Sequence, residues 1–309
     1  MSALKKVLTL QLKDYHSQDP AVKAKFIDDL KRSCEEFGFV VISGHTIPHE
    51  LIKKLYAVQK KYFELPIEEK MKNFVNNGGQ RGFTKFGTEH AKGFKASDLK
   101  EFYHVGREQF LPNTWPESIP EFQPVVQELI EELDKVGDTL LSSIGEIVGC
   151  GPDYLPSIVK DGASVLRMLH YPPVPTDKLE PDQIRSQAHT DIDLLTALLA
   201  ANGDGLQLKT KDGEWLDVDS DPTSIVFNLG DMLWRMCNFS ETMPSTVHRV
   251  RNPNDGTNES RFSIPYFIHP RGDIRLDLLP KYAHETPVRP IATADEYLEE
   301  RLKEIGLKK

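Results

Sequence analysis

The chain has 309 residues, 39% hydrophobic and 28% charged, with a net charge of −9. That balance suits a globular protein with a large core, and an all-β unit of more than about 200 residues can still be one domain. The acidic charge speaks against a nucleic-acid partner, since a phosphate backbone demands a basic face, and no run of about 18 apolar residues offers a membrane span. Cys34, Cys150 and Cys237 are far apart and form no C-x-x-C pair. Neither a disulfide framework nor a zinc knuckle is expected, and a reducing cytoplasm is the expected setting.

The first fifteen residues alternate apolar and polar and lack a small-residue cleavage site, which reads as a strand rather than an export signal. From Pro20 to Phe37, apolar positions Ile27, Leu30, Cys34 and Phe37 recur at helical spacing. Residues 39–42 then read as a short buried strand ended by Ser43-Gly44-His45. A second helix starts near Pro48, with Leu51, Leu55, Val58 and Tyr62 on one stripe. The stretch 76–116 is rich in glycine and aromatic residues, and 101–105 is its best strand. A long helix is predicted over 121–148, burying Val125, Leu129, Leu133, Val136, Leu140, Ile144 and Ile147.

After Gly149 the pattern becomes β-rich. Strands are predicted at 164–171, 184–189, 194–199, 206–209, 215–218, 224–228, 232–236, 246–250 and 261–268, and a last helix at 293–302. Turn chemistry separates them, notably Asp212-Gly213, where glycine accepts a positive φ. Many short strands at near-regular spacing indicate a sandwich or jelly roll. The expected architecture is mainly β with flanking helices, a single domain over 1–309. Residues 1–150 supply a helix-rich support, and 151–309 supply the β core and the C-terminal helix.

His189-Thr190-Asp191 is the only H-x-[D/E] in the chain. On a strand, residues two apart share a face, so imidazole and carboxylate would converge. His248, 57 residues past Asp191, is the leading third ligand, on a strand that could pair back opposite the first pair. Two histidines and one carboxylate leave coordination positions open, which suits non-haem Fe(II); a closed zinc site more often uses four ligands. A lone H-x-D is common by chance among ten histidines, so the tripeptide needs support from elsewhere.

Arg261-Phe262-Ser263 is the only R-x-S, again with two side chains on one face. Most arginines are exposed; one turned inward is costly unless it meets an anion, and its planar fork matches a carboxylate. Tyr171, at the end of its strand, could add a hydrogen bond.

Taken together, the chain resembles the Fe(II)/2-oxoglutarate oxygenases of the isopenicillin N synthase-like group. The likeness runs through Glu36–His45, Arg81-Gly-Phe83, Asp98–Glu108, Arg167-Met-Leu-His-Tyr-Pro172, Ala188-His-Thr-Asp191, Gly205-Leu-Gln-Leu208, Asn228-Leu-Gly-Asp231, Ser245–Val250 and Arg261-Phe-Ser263. The resemblance implies a double-stranded β-helix. It implies Fe(II) held by His189, Asp191 and His248, 2-oxoglutarate and O2 as co-substrates, and a distal carboxylate bound by Arg261 and Ser263 with help from Tyr171. Oxidation of a small molecule, usually hydroxylation, would accompany release of succinate and CO2. Asp191 argues against the halogenase branch, which has a small residue there. Ile192 departs from the commoner aromatic after the metal aspartate and is a candidate substrate contact, with Phe83, Phe102, His104 and Trp234. Each of those aromatics also suits ordinary core packing.

Two other readings share these residues. Iron oxidases of the isopenicillin N synthase and aminocyclopropane oxidase type carry the same motifs without using 2-oxoglutarate, and a non-catalytic binding protein could use the same scaffold. The intact ligand set with Arg261 favours an enzyme. A zinc hydrolase would want an element such as H-E-x-x-H, which is absent. The expected partner is a small-molecule substrate, with neither nucleic acid nor membrane.

Overall fold

The computed structural model describes residues 4–89, 96–173, 179, 183–201, 203–219, 221–253 and 258–304. The chain opens with β1 (Thr9–Gln11), α1 (Leu12–Tyr15), α2 (Pro20–Phe37), β2 (Phe39–Ser43), α3 (His49–Phe63) and α4 (Ile67–Met71). It continues through β3 (Gly82–Thr84), β4 (Glu101–Gly106), α5 (Phe122–Val148) and α6 (Tyr154–Val159). The β-rich part comprises β5 (Val165–Tyr171), β6 (Ser186–His189), β7 (Leu195–Leu199), β8 (Leu206–Lys209), β9 (Trp215–Asp217) and β10 (Ile225–Leu229). After α7 (Asp231–Met236) come β11 (His248–Val250), β12 (Arg261–Ile268) and α8 (Ala294–Glu304).

Local chemistry sets the helix ends. The Asp19 side chain accepts from the Ala21 N–H at 2.9 Å, and Pro20 needs no partner at the first helical position. Gly38 ends α2 at φ 65°, and its N–H returns to the Cys34 carbonyl. A Cβ there would stand 2.3 Å from Thr246 Oγ1 and 2.6 Å from the Pro244 carbonyl. The same glycine thus lets the end of α2 press on the segment that leads into β11.

An eight-stranded sheet has the order β1-β2-β10-β7-β12-β5-β4-β3, and a four-stranded sheet the order β6-β11-β8-β9. The two form the expected jelly roll. Helix α5 lies outside the large sheet, burying Val126, Leu129, Leu133, Val136, Leu140 and Ile144, and Tyr266 of β12 donates to Asp134 of this helix at 2.6 Å. Its buried face is as expected except at the ends, where Val126 and Val148 are buried and Val125 and Ile147 only half-buried.

Two expectations need correction. Residues 232–236 form helix α7 rather than a strand. Their apolar run fits either state, and here the first turn is held from outside: the Asp231 N–H donates to the Asp191 carbonyl at 2.8 Å and the Met232 N–H to that of Asp193 at 3.0 Å. Strand β6 also stops at His189, so Asp191 lies on the loop beyond it.

Candidate metal centre and adjoining cavity

The two histidines meet because β11 runs antiparallel beside β6, with His248 directly opposite His189. Asp191 completes the group; one ligand atom from each of the three lies within 4.8 Å of the others. His189 Nε2 is 3.8 Å from Asp191 Oδ1, and His248 Nε2 is 3.8 Å from Asp191 Oδ2. Each imidazole turns its other nitrogen to the carbonyl two residues back: His189 Nδ1 to Gln187 at 2.7 Å, His248 Nδ1 to Thr246 at 3.1 Å. A carbonyl only accepts, so the proton sits on Nδ1 and the Nε2 lone pair is free for a metal. Burial, then the neighbouring His248, pushes His189 down to about 4, which keeps it a free base at neutral pH. Burial acts to raise Asp191, but the two imidazoles and hydrogen bonds from Thr196 and Asn228 outweigh it and hold the carboxyl below its ordinary value. Two imidazoles and one carboxylate, spaced this way, fit a divalent ion with open positions.

Thr196 Oγ1 donates to Asp191 Oδ2 at 2.7 Å and Asn228 Nδ2 donates to the same oxygen at 2.8 Å. Sequence reasoning gives neither residue a role; Asn228 stands in a quoted motif, and Thr196 carries no signal.

A small cavity between the sheets is lined by all three ligands together with Tyr171, Arg261 and Ser263. Arg261 stands opposite Tyr171 across the β12–β5 pair, its guanidinium 5.4 Å from the tyrosine ring centre. Its Nε donates to the carbonyls of Gly203 and Asp204 at 3.0 and 3.1 Å, while Nη1 is buried with no partner among the described residues. Arg261 and Ser263 are each 3% exposed. A buried guanidinium nitrogen left free beside a hydroxyl fits the carboxylate end of a 2-oxo acid. Burial raises the Tyr171 phenol, so its hydroxyl stays a donor.

A larger cavity of about 370 Å³ opens on the other side of His189 and Asp191. Ile192 and His104 line it; Phe83, Phe102 and Trp234 are not among its walls. Phe83 packs edge-on to Tyr62 in the core. Phe102 lies under the Arg167 guanidinium, 4.3 Å from the ring centre. Trp234 sits on α7 instead of a strand and donates to the Ser240 carbonyl at 3.2 Å, so its position follows from the correction above. His170 points elsewhere too, held by Glu101 at 2.8 Å and Ser260 at 3.1 Å.

Beside His189 and Asp191 the cavity wall carries a closed ionic network. Lys100 meets Glu89 at 2.7 Å and Asp98 at 2.8 Å, and Arg167 grips Glu89 through both terminal nitrogens at 3.1 and 3.2 Å. Arg167 Nε donates to His104 Nε2 at 2.6 Å, and His104 Nδ1 lies 2.6 Å from the Gly79 carbonyl. Burial and the Arg167 charge keep that ring neutral, well below the usual imidazole range. Glu89 stays ionised because Arg167 and Lys100 outweigh its burial. His269, which the sequence did not single out, also lines this cavity; its buried Nδ1 has no partner among the described residues, and burial pushes the ring down to about 4.

Two family models match successive parts of the chain. One, described as the N-terminal region of non-haem dioxygenases in morphine synthesis, covers residues 7–118; the other, the 2OG-Fe(II) oxygenase superfamily, covers 162–270. The chain is 32% identical to the 2-oxoglutarate-Fe(II) type oxidoreductase hxnY of Emericella nidulans, over 93% of this chain and 86% of that one. A crystal structure of a 2OG-Fe(II) oxygenase family protein from Caulobacter crescentus superposes with a TM-score of 0.85 at 36% identity, covering 97% of this chain and 99% of that one. A full-length Neurospora crassa protein in complex with alpha-KG gives 0.87 at 26% identity, covering 96% and 95%, and that protein has also been solved with thymine.

Proposed function

This chain belongs to the 2OG-Fe(II) oxygenase superfamily, and from that premise we propose that His189, Asp191 and His248 hold its iron while Arg261, Ser263 and Tyr171 hold the distal carboxylate of 2-oxoglutarate. The enzyme is a 2-oxoglutarate-dependent dioxygenase acting on a small organic molecule; hydroxylation is the outcome we assign. When bound, Fe(II) supplies the activation of O2, coupled to conversion of 2-oxoglutarate to succinate and CO2. The protein's own part is placement. Thr196 and Asn228 fix the rotation of Asp191, and the backbone carbonyls of Gln187 and Thr246 fix both imidazoles. Tyr171 and Arg261 are almost fully buried, so water is excluded around the co-substrate end.

The observation that carries this reading is the unpartnered Arg261 nitrogen in the same small cavity as the three converging ligand atoms. The substrate then enters from the larger cavity, where Ile192 and His104 lie. A small molecule such as the thymine seen with the Neurospora crassa protein is of suitable size for that space. We also assign the whole chain to one oxygenase domain, supported by β1–β4 joining the same sheet as β5, β7, β10 and β12. No helix of the described residues is long and apolar enough to cross a membrane. The three free cysteines support a reducing, cytoplasmic setting.

Anaerobic titration with Fe(II) and then 2-oxoglutarate tests the site. A weak visible charge-transfer band should need both additions, vanish in His189→Ala, and demand roughly thirty to several thousand times more 2-oxoglutarate in Arg261→Ala, in line with a loss of about 2–5 kcal/mol for truncating one side of a buried charge pair. Iron binding without any band would reject 2-oxoglutarate as the chelated partner.

A further inference from the structure

Four cationic side chains line the larger cavity: Arg81, Lys100, Arg167 and Arg301. Three of them already face carboxylates. Lys100 has Glu89 and Asp98, Arg167 has Glu89, and Arg301 has Asp231 at 3.5 Å with Glu304 beside it. Arg81 has none among the described residues. Its Nη1 donates to the Gln80 carbonyl at 2.6 Å and its Nη2 to the Arg107 carbonyl at 3.4 Å, while Nε is buried without a partner among the described residues. The residue is 3% exposed.

The backbone prepares a place for this group. A Cβ on Gly106 would come within 2.4 Å of Arg81 Cζ, so the guanidinium lies flat on bare backbone at the end of β4. Gly106 pairs with Val165 of β5, and Val165 pairs with Phe267 of β12; both side chains are cavity wall. The cation therefore sits beside an apolar strip that leads across the sheet. Burying a guanidinium without a counterion is unfavourable, and burial alone already lowers its proton affinity. Lost stability of that kind at a cavity wall is offset when a ligand brings the missing charge.

Resting on the oxygenase reading only for which cavity receives substrate, we propose that Arg81 is the substrate's anion-binding point and that the substrate is a small organic acid. Its carboxylate pairs with Arg81, and its carbon skeleton lies along Val165 and Phe267 toward the metal ligands. The roughly 370 Å³ of space matches the small end of small-molecule sites, on the order of 300–1,000 Å³.

The test uses the full chain loaded with Mn(II) and 2-oxoglutarate under argon. Binding of phenylacetate, cinnamate and indole-3-acetate is measured by calorimetry, each beside its primary amide. At least one acid should bind wild type tenfold or more tightly than its amide, and Arg81→Gln should erase that preference while 2-oxoglutarate binding stays unchanged. Arg81→Met should melt no lower than wild type, because it removes an unpaired buried charge. Acids and amides binding alike to wild type would overturn the proposal, as would no acid binding at all, a preference that survives in Arg81→Gln, or a lower melting temperature in Arg81→Met. Failure of the oxygenase reading would show separately, as absence of the Fe(II) and 2-oxoglutarate band.

Discussion

Asp191 has two oxygens in different company. Oδ2 accepts from Thr196 and Asn228, whereas Oδ1 accepts no hydrogen bond from the described residues and lies on the His189 side. The two donors stop the carboxylate rotating and favour its ionised form, which a metal ligand needs. Asn228→Ala should therefore weaken Mn(II) or Zn(II) binding roughly 10–100-fold, the usual effect of losing an outer hydrogen bond on a ligand. Calorimetric titration of the apo-protein reads this directly, and wild-type affinity in the variant would rule the role out. The three converging side chains were legible in the sequence because their chemistry is carried by residue type: imidazole and carboxylate two apart, and a second imidazole downstream. Thr196 and Asn228 were not, because their function exists only through register. They stand opposite each other across the β7–β10 pair, and no spacing along the chain announces that.

At the scale of elements, the metal loop and α7 are built as one piece. Gly230 donates its N–H to the Leu194 carbonyl at 3.1 Å, and the next two N–H groups go to the carbonyls of Asp191 and Asp193. The loop thereby satisfies helix donors that would otherwise be orphaned. A Cβ on Gly230 would sit 2.2 Å from both the backbone oxygen and Oδ1 of Asp193, atoms that belong to this loop. Gly230→Ala should cost about 1–3 kcal/mol of stability through overpacking and also weaken metal binding, as read by urea unfolding and the same titration. Unchanged stability would mean that the loop gives way freely. The same junction explains the misread strand, since five residues, four of them apolar, carry too little periodicity to separate helix from strand. Helices α2, α3 and α5 were readable because 15 to 27 residues display an apolar stripe, and α2 and α5 end on a left-handed glycine. Strand β3, with three residues, and α4, with five, were too short to leave a pattern.

Across the whole molecule, the site depends on elements drawn from both halves of the chain. Asn228 belongs to β10, which pairs with β2 from the first fifty residues as well as with β7. Lys100 and Arg167, on the cavity wall, come from either side of α5. If the sheet is one cooperative unit, the protein should unfold in a single transition, with fluorescence and circular dichroism giving the same midpoint. If the proposed site holds the metal, binding needs β6, β11 and the loop beyond β6 in place, and the ion stabilises that entire unit by mass action. At a hundredfold excess over its dissociation constant it should add about 2.7 kcal/mol, which corresponds to roughly 5 °C for a chain of this size. A chelator should reverse the shift, and Asp191→Ala should show none. 2-Oxoglutarate should add a second increment only in the presence of metal, since one end of it needs the ion and the other needs Arg261. Two transitions, with metal moving only the later one, would instead separate the first 150 residues from the oxygenase core and defeat the single-domain assignment. A 2-oxoglutarate shift without metal would place its binding energy on Arg261 and its neighbours alone.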